Sequence, residues 1–425
     1  MMNDCEKYPR FRWAVLLACG VAMLCTGMNT MSFAPLLGVI AGNLGVDLGT
    51  ASLGLMGLGM LVMALSIGLA GFLIDRFGIF RVLVGAIGVQ MLANAAFTLI
   101  GHSYETVLII RLIESAALAP CFIVNGPVAA IWFPKNEIGI ANGASVAMLQ
   151  LGNMIGLAGA PLLVSMTGSW QSGIGSLSIV SLLSLLIAVV VANKSKYHQP
   201  PTLQPSRQDA EVAHKSFLKY PLFWVALIVN MLAMWCSQGF NDLMPAYLAV
   251  EPPVGAGFGP ATAGQLMTIV SVSTMIFSLL GGFFIDKVFN GDNRKVILIG
   301  WVIGAISYPA IMISEVHNNV VILPVALVAA GVLGAFLGPA LMGLGAKTFS
   351  PSAIGKVIGL WMFTGCFAGA GGVVGGSVAL RSTGSYRLSM IIIVGLAIMG
   401  FIVSVFLKPG KSKTLCNYEA VKGQA

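Results

Sequence analysis

Charge is the scarcest thing in this sequence. Only 9% of its 425 residues are Asp, Glu, Lys or Arg, where a soluble domain carries about 25%. One water-soluble core could not hide the 57% of residues that are hydrophobic, so an ordinary soluble protein is excluded and lipid is the expected solvent. The mean hydropathy of +0.91 agrees. Chemical motifs are missing as well. There is no HExxH, no phosphate-binding loop, no nucleophile elbow and no cluster of His and Cys. These absences speak against a metallohydrolase, an ATP-driven pump and a serine hydrolase, and no cofactor or metal is expected. The four histidines, His102, His198, His214 and His317, fall in predicted loops. The seven cysteines have no CxxC spacing, and five (Cys19, Cys25, Cys121, Cys236, Cys366) lie in apolar runs. They read as small buried hydrophobes rather than a disulfide framework.

What the sequence does have is long apolar runs. A helix needs about 20 apolar residues to cross a bilayer, and twelve runs qualify: 13–40, 51–74, 82–101, 106–131, 141–165, 172–192, 222–249, 262–285, 296–314, 319–345, 356–380 and 388–407. The first follows Lys7, Arg10 and Arg12 but is too long for a signal-peptide core and lacks a small-residue cleavage site, so it is expected to stay as a helix. Basic residues set orientation. With the N-terminus in the cytoplasm, all of the 23 Lys and Arg except Arg111, Arg381 and Arg387 fall on the cytoplasmic side. The net charge of +8 is thereby explained as membrane anchoring, not as nucleic-acid binding. Both termini are expected in the cytoplasm of a cell (inner) membrane, and the chain is expected to act as a monomer.

A polar, proline-bearing stretch at 193–221 separates six runs from six. The expected organisation is an N-terminal bundle over 1–192, a cytoplasmic linker over 193–221 with a short surface helix near 207–219, and a C-terminal bundle with a tail over 222–425. The halves repeat. Gly27 and Asn29 precede Gly239 and Asn241 by 212 residues, Pro35 precedes Pro245 by 210, and Asp75 of GFLIDR precedes Asp286 of GFFIDK by 211. Gly126-Pro127 precedes Gly338-Pro339 by 212, and Gly139 and Gly143 each precede Gly355 and Gly359 by 216. Each half holds an even number of spans, so the two point the same way. Such parallel repeats are a transporter architecture with the cargo site between the halves near the midplane.

Gly71, Leu73, Asp75, Arg76, Gly78, Arg81 and Leu83 sit where one run ends and the next begins. They resemble the loop signature of the major facilitator superfamily, G-x-L-x-D-R-x-G-x-x-R-x-x-L, with the last leucine one residue early. Gly282, Asp286, Lys287, Arg294 and Lys295 form a weaker copy in the second half. The resemblance covers the whole chain and implies an all-α membrane fold of twelve helices in two pseudo-symmetric halves. It also implies that Gly71, Asp75, Arg76, Gly78, Arg81, Asp286 and Lys287 form a conformational latch that holds the halves together on the cytoplasmic side in one state and releases in the other. The residues alone allow a plain turn as well. Residues 75–81 are expected to form a tight loop, with Asp75 capping a helix or pairing with an arginine.

Arg111 and Glu114 stand out in TVLIIRLIESAALAP, because an arginine at mid-membrane costs about 2.5–3.5 kcal/mol on insertion scales. Three residues apart, they share a helix face. Arg111 could meet an anionic cargo while Glu114 takes a proton, or the pair could tether helix 4 to a neighbour. Ser115 stands where the superfamily's R-x-x-x-G pattern has glycine. Asp242 is a second candidate proton carrier. Pro35 and Pro245 are expected to interrupt helices 1 and 7 and to free backbone groups for the cavity, which makes Asn29 and Asn241 candidate cargo ligands. Asn125 and Gln150 are further pocket candidates. Trp132, in a W-F-P-x-x-E-x-G pattern similar to organic-anion branches of the superfamily, is expected as an interfacial anchor. Gly143, Gly152 and Gly156 match the spacing of the helix-5 antiporter signature, with Leu157 in place of its proline.

The expected function is secondary active transport by alternating access, with a small organic anion such as a carboxylate moved together with protons. The alternative is proton-driven efflux of an apolar or cationic compound. A non-transporting receptor is a third reading, and it would need a soluble domain for which no segment is long enough.

Overall fold

A computed structural model describes residues 9–134, 137–195, 217–290, 292–349 and 351–407. Among the described residues every regular element is helical. The spans are α1 (Arg12–Leu44), α2 (Leu48–Phe77), α3 (Ile79–Ile100), α4 (Tyr104–Ala129), α5 (Ile140–Thr167), α6 (Trp170–Ser195), α7 (Pro221–Ala249) and α8 (Gly259–Ser278). Then come α9 (Asn293–Ala310), α10 (Ile322–Gly345), α11 (Lys356–Thr383) and α12 (Tyr386–Ser404). Eleven are long and apolar enough to cross a membrane by themselves. The ninth, diluted by Arg294 and Lys295 in its first turn, is placed by its packing. It lies against α10 and α12 as α3 lies against α4 and α6. Side chains such as Leu65, Leu69, Ile109, Ile113 and Leu183 project outward, as helices bathed in lipid require.

The turns carry ordinary capping chemistry, and it repeats between halves. Thr-Gly-Ser-Trp at 167–170 joins α5 to α6, and Thr-Gly-Ser-Tyr at 383–386 joins α11 to α12. In each, the glycine takes a left-handed φ (+76° and +66°) and the serine side chain accepts a backbone N–H of the next helix. The aromatic that follows is buried in both copies.

Three expectations are corrected. Residues 75–81 are not a loop. Asp75 and Arg76 lie in the last turn of α2, Arg81 in the first turn of α3, and Gly78 alone, at φ +85°, makes the bend. A side chain at that φ is strained, which is why one glycine can replace a loop. Pro245 does not interrupt α7, which runs unbroken to Ala249. Its missing N–H forfeits one internal hydrogen bond, and the helix continues through it, as α10 continues through Pro339. Pro35 does break α1, into Arg12–Met31, a tight turn at Ala34–Leu36, and Leu37–Leu44. Trp132 is buried rather than interfacial, packed against Phe11 and Phe80 at ring distances of 6.3 and 6.1 Å.

The halves meet mainly away from the face where α1 begins and α12 ends. Met31, Ala34, Leu37, Ala51, Met56 and Leu157 of the first half are buried in the core of the second. At this far face Ser52 and Ser377 share a hydrogen bond of 2.7 Å. Near mid-depth Gln150 donates to the Ser271 carbonyl at 3.3 Å. A Cβ at Gly264 would strike the Leu157 carbonyl, and one at Gly49 would strike the Arg381 backbone. The near-face core around Trp132, by contrast, is built from first-half residues alone.

Candidate functional site

The break at Pro35 explains the first element of the site. It ends the first segment of α1 at Met31, so carbonyls in the last turn lack their usual helical donors. Arg111 of α4 uses them. Its Nη1 donates to the Asn29 carbonyl at 2.9 Å and its Nη2 to the Thr30 carbonyl at 3.3 Å. Its Nε donates to the Leu55 carbonyl at 3.0 Å, within a π-helical stretch of α2 at Ser52–Leu58. Nη1 also pairs with Glu114 at 2.7 Å, and the guanidinium lies 4.4 Å from the Phe33 ring centroid. Arg111 is 4% exposed and Glu114 is fully buried. The arginine therefore braces α1, α2 and α4, with its charge balanced by Glu114.

Asn29 is also fully buried, and its side chain serves the same brace from behind. It donates to Gln90 at 3.1 Å and accepts from Asn94 at 3.0 Å, both on α3. Gln90 in turn donates to the Ala117 carbonyl of α4. This amide network was missed from the sequence, although Gln90 and Asn94, four apart in an apolar helix, were its visible signal.

Asp242 of α7 is the counterpart from the second half. It is 2% exposed, and its Oδ2 has no hydrogen-bond partner among the described residues. An ionised carboxylate without a donor at such depth is very costly. Its neighbour Asn241 is half-buried, and among the described residues its side chain makes one long contact, 3.5 Å, to Ser237.

The other expected pocket residues are not gathered here. Asn125 lies about 21 Å further along α4 at 1.5 Å per residue. It donates to the Cys121 carbonyl and accepts from Ser145. Gln150 belongs to the seam and also accepts from Asn153 at 2.8 Å. Gly152 and Gly156 pack against the α1 backbone at Leu24 and Met28, so close helix contact accounts for that glycine spacing.

At the near face Asp75, Arg76, Gly78 and Arg81 are exposed and Gly71 is half-buried. Among the described residues none of the three charged groups takes part in an ion pair. In the second-half copy Lys287 is exposed, while the Asp286 side chain lies outside the described residues. Arg294 bonds the Val405 carbonyl. The near face also holds a pair not expected from sequence. Arg12 meets Glu137 at 3.0 Å, joining the start of α1 to the α4–α5 turn beside the Trp132 cluster.

Set beside known proteins, the chain matches a family model described as Major Facilitator Superfamily over residues 19–252 and again over 249–420. Its fold is similar to the crystal structure of a bacterial homolog to the human lysosomal transporter Spinster, in inward-facing and unoccupied conformation. The TM-score is 0.73 at 17% identity, over 95% of this chain and 99% of the other.

Proposed function

The chain belongs to the major facilitator superfamily, and from that premise we propose that this multi-pass secondary transporter, not an enzyme, couples its cargo to protons through Asp242. The observation that carries the reading is an unpartnered, buried carboxylate on α7 at the seam between the halves. Such a group is stable there only when neutralised, by a proton or by a cation. That is what a carrier that takes up one and gives up the other requires.

The cargo follows from the charge balance. The buried cations among the described residues are both paired, Arg111 with Glu114 and Arg12 with Glu137 at the near face. A cargo that needs no free cation fits best, so we read this as proton-driven exchange of an apolar or cationic compound. A small organic anion moved with protons is the second reading. It is favoured by the weakest Arg111 bond, the 3.3 Å contact to Thr30, a half-buried residue whose loosening would bare one edge of the guanidinium. Asn29 would then act through its carbonyl, and Asn125, Gln150 and Asn241 would contribute only after rearrangement.

Alternating access orders the rest. With the far face sealed and the clasp residues exposed, the protein stands open toward the near face. The positive-inside bias makes that face cytoplasmic, with both termini there and a linker over 193–221 joining units at 1–192 and 222–425. The latch of Asp75, Arg76, Arg81 and Lys287 is disengaged in this state and closes in the opposite one.

Proteoliposomes test the reading. Dye or organic-cation export driven by a pH gradient is expected from the natural protein. Asp242→Asn is expected to abolish gradient-driven flux while keeping exchange of labelled cargo for unlabelled cargo. Gradient-driven uptake of labelled carboxylates, lost in Arg111→Lys, would instead select the anion reading. Undiminished gradient-driven flux in Asp242→Asn would remove Asp242 from the coupling path.

A further inference from the structure

Two lipid-facing grooves of similar size mark the first half, and their linings differ in kind. One, of about 460 Å³, lies between α3 and α4 and is walled by Val89, Leu92, Ile109 and Ile113, with no charged residue in its lining. The other, of about 430 Å³, lies at the near face between the α2–α3 bend and the end of α6. Its walls are Phe77, Phe80, Val84 and Val189, and its rim carries Arg81 and Asn193. Arg81 is exposed, and among the described residues it takes part in no ion pair. Its neighbour Arg76, equally exposed, is not part of the lining.

We propose that the groove between the α2–α3 bend and α6 binds one anionic phospholipid, with the phosphate held by Arg81 and an acyl chain laid along Phe80, Val84 and Val189. The chemistry is complementary on both counts. A free cation at the headgroup level attracts an anionic lipid, and apolar walls continuing into the hydrocarbon suit a chain but not a free phosphate. The volume falls within the range of small-molecule pockets, about 300–1,000 Å³. A lipid there holds Arg81 toward α6, on the first half's own side. The bend that carries Asp75 and Arg76 is then anchored to its own bundle while the near face is open.

Native mass spectrometry of protein equilibrated with equal phosphatidylglycerol and phosphatidylcholine tests this. The natural protein is expected to retain phosphatidylglycerol preferentially. Arg81→Gln is expected to lose about fivefold of that preference, the effect of one basic contact near a headgroup, and Arg76→Gln is expected to keep it. Equal retention by the natural protein and Arg81→Gln, or equal losses in both variants, would overturn the proposal. So would full displacement of the lipid by inorganic phosphate, which would assign a free-anion site. Phe80→Trp reads the site without touching Arg81. Brominated phosphatidylglycerol is expected to quench the new indole more than brominated phosphatidylcholine does, and equal quenching counts against the site.

Discussion

The guanidinium of Arg111 shows how a charge becomes tolerable inside a bilayer. Three backbone carbonyls and one carboxylate accept its hydrogen bonds, so removing one partner is what makes the group costly. Arg111→Met or Glu114→Leu alone should each destabilise the protein by about 3–5 kcal/mol, and the two together should recover most of that loss. Unfolding in detergent micelles, arranged as a double-mutant cycle, measures it. Additive losses would mean that the two side chains do not act as a pair. The pairing of Arg111 with Glu114 was legible, because a spacing of three puts both on one helix face. The carbonyls of Asn29, Thr30 and Leu55 were not, since a sequence does not say which distant backbone is left without donors. Asn29 was expected from the sequence as a cargo ligand. Its side chain faces Gln90 and Asn94, and its carbonyl is what the arginine uses.

At the scale of elements, two glycines set how tightly the far face shuts. Gly49 of α2 lies on the α11 backbone at Arg381, and Gly264 of α8 lies on the α5 backbone at Leu157. Backbone cannot yield as a flexible side chain does, so larger residues there must hold the seam apart. Gly49→Val with Gly264→Val should populate a state open at the far face. In a background without the natural cysteines, Ser52→Cys should then react faster with an impermeant thiol reagent. Labelling no faster than with both glycines present would show that the seam closes by another contact. Helix number and order were readable because apolar length is a strong signal. Breaks were harder to read. Pro35 interrupts α1, whereas Pro245 and Pro339 lie inside unbroken helices, so a proline alone does not say whether a helix breaks. The bend at Gly78 was taken for a loop because charged residues usually mark loops, whereas here they occupy helix ends.

For the whole molecule, the repeat visible as paired Gly, Asn, Pro and Asp positions corresponds to two six-helix units that meet along one seam. The matched Thr-Gly-Ser-aromatic corners add to it. What the repeat could not indicate is which face is closed, because the sequence is the same in every state of the protein. The latch proposed at Asp75 makes a prediction at this scale. Asp75→Asn should favour the state open at the near face and so slow net transport, while a test of cargo binding at equilibrium changes little. Unchanged transport would reduce the cluster to an anchoring turn.

The most direct measurement is a pair of distances across the two faces in one protein. Spin labels at Asp47 and Arg381 report the far face, and labels at Phe77 and Val288 report the near face. As pH is stepped and cargo is added, the far-face distance should lengthen while the near-face distance shortens, with two discrete populations on each side. Fixed distances on both faces, or both changing in the same direction, would contradict the account.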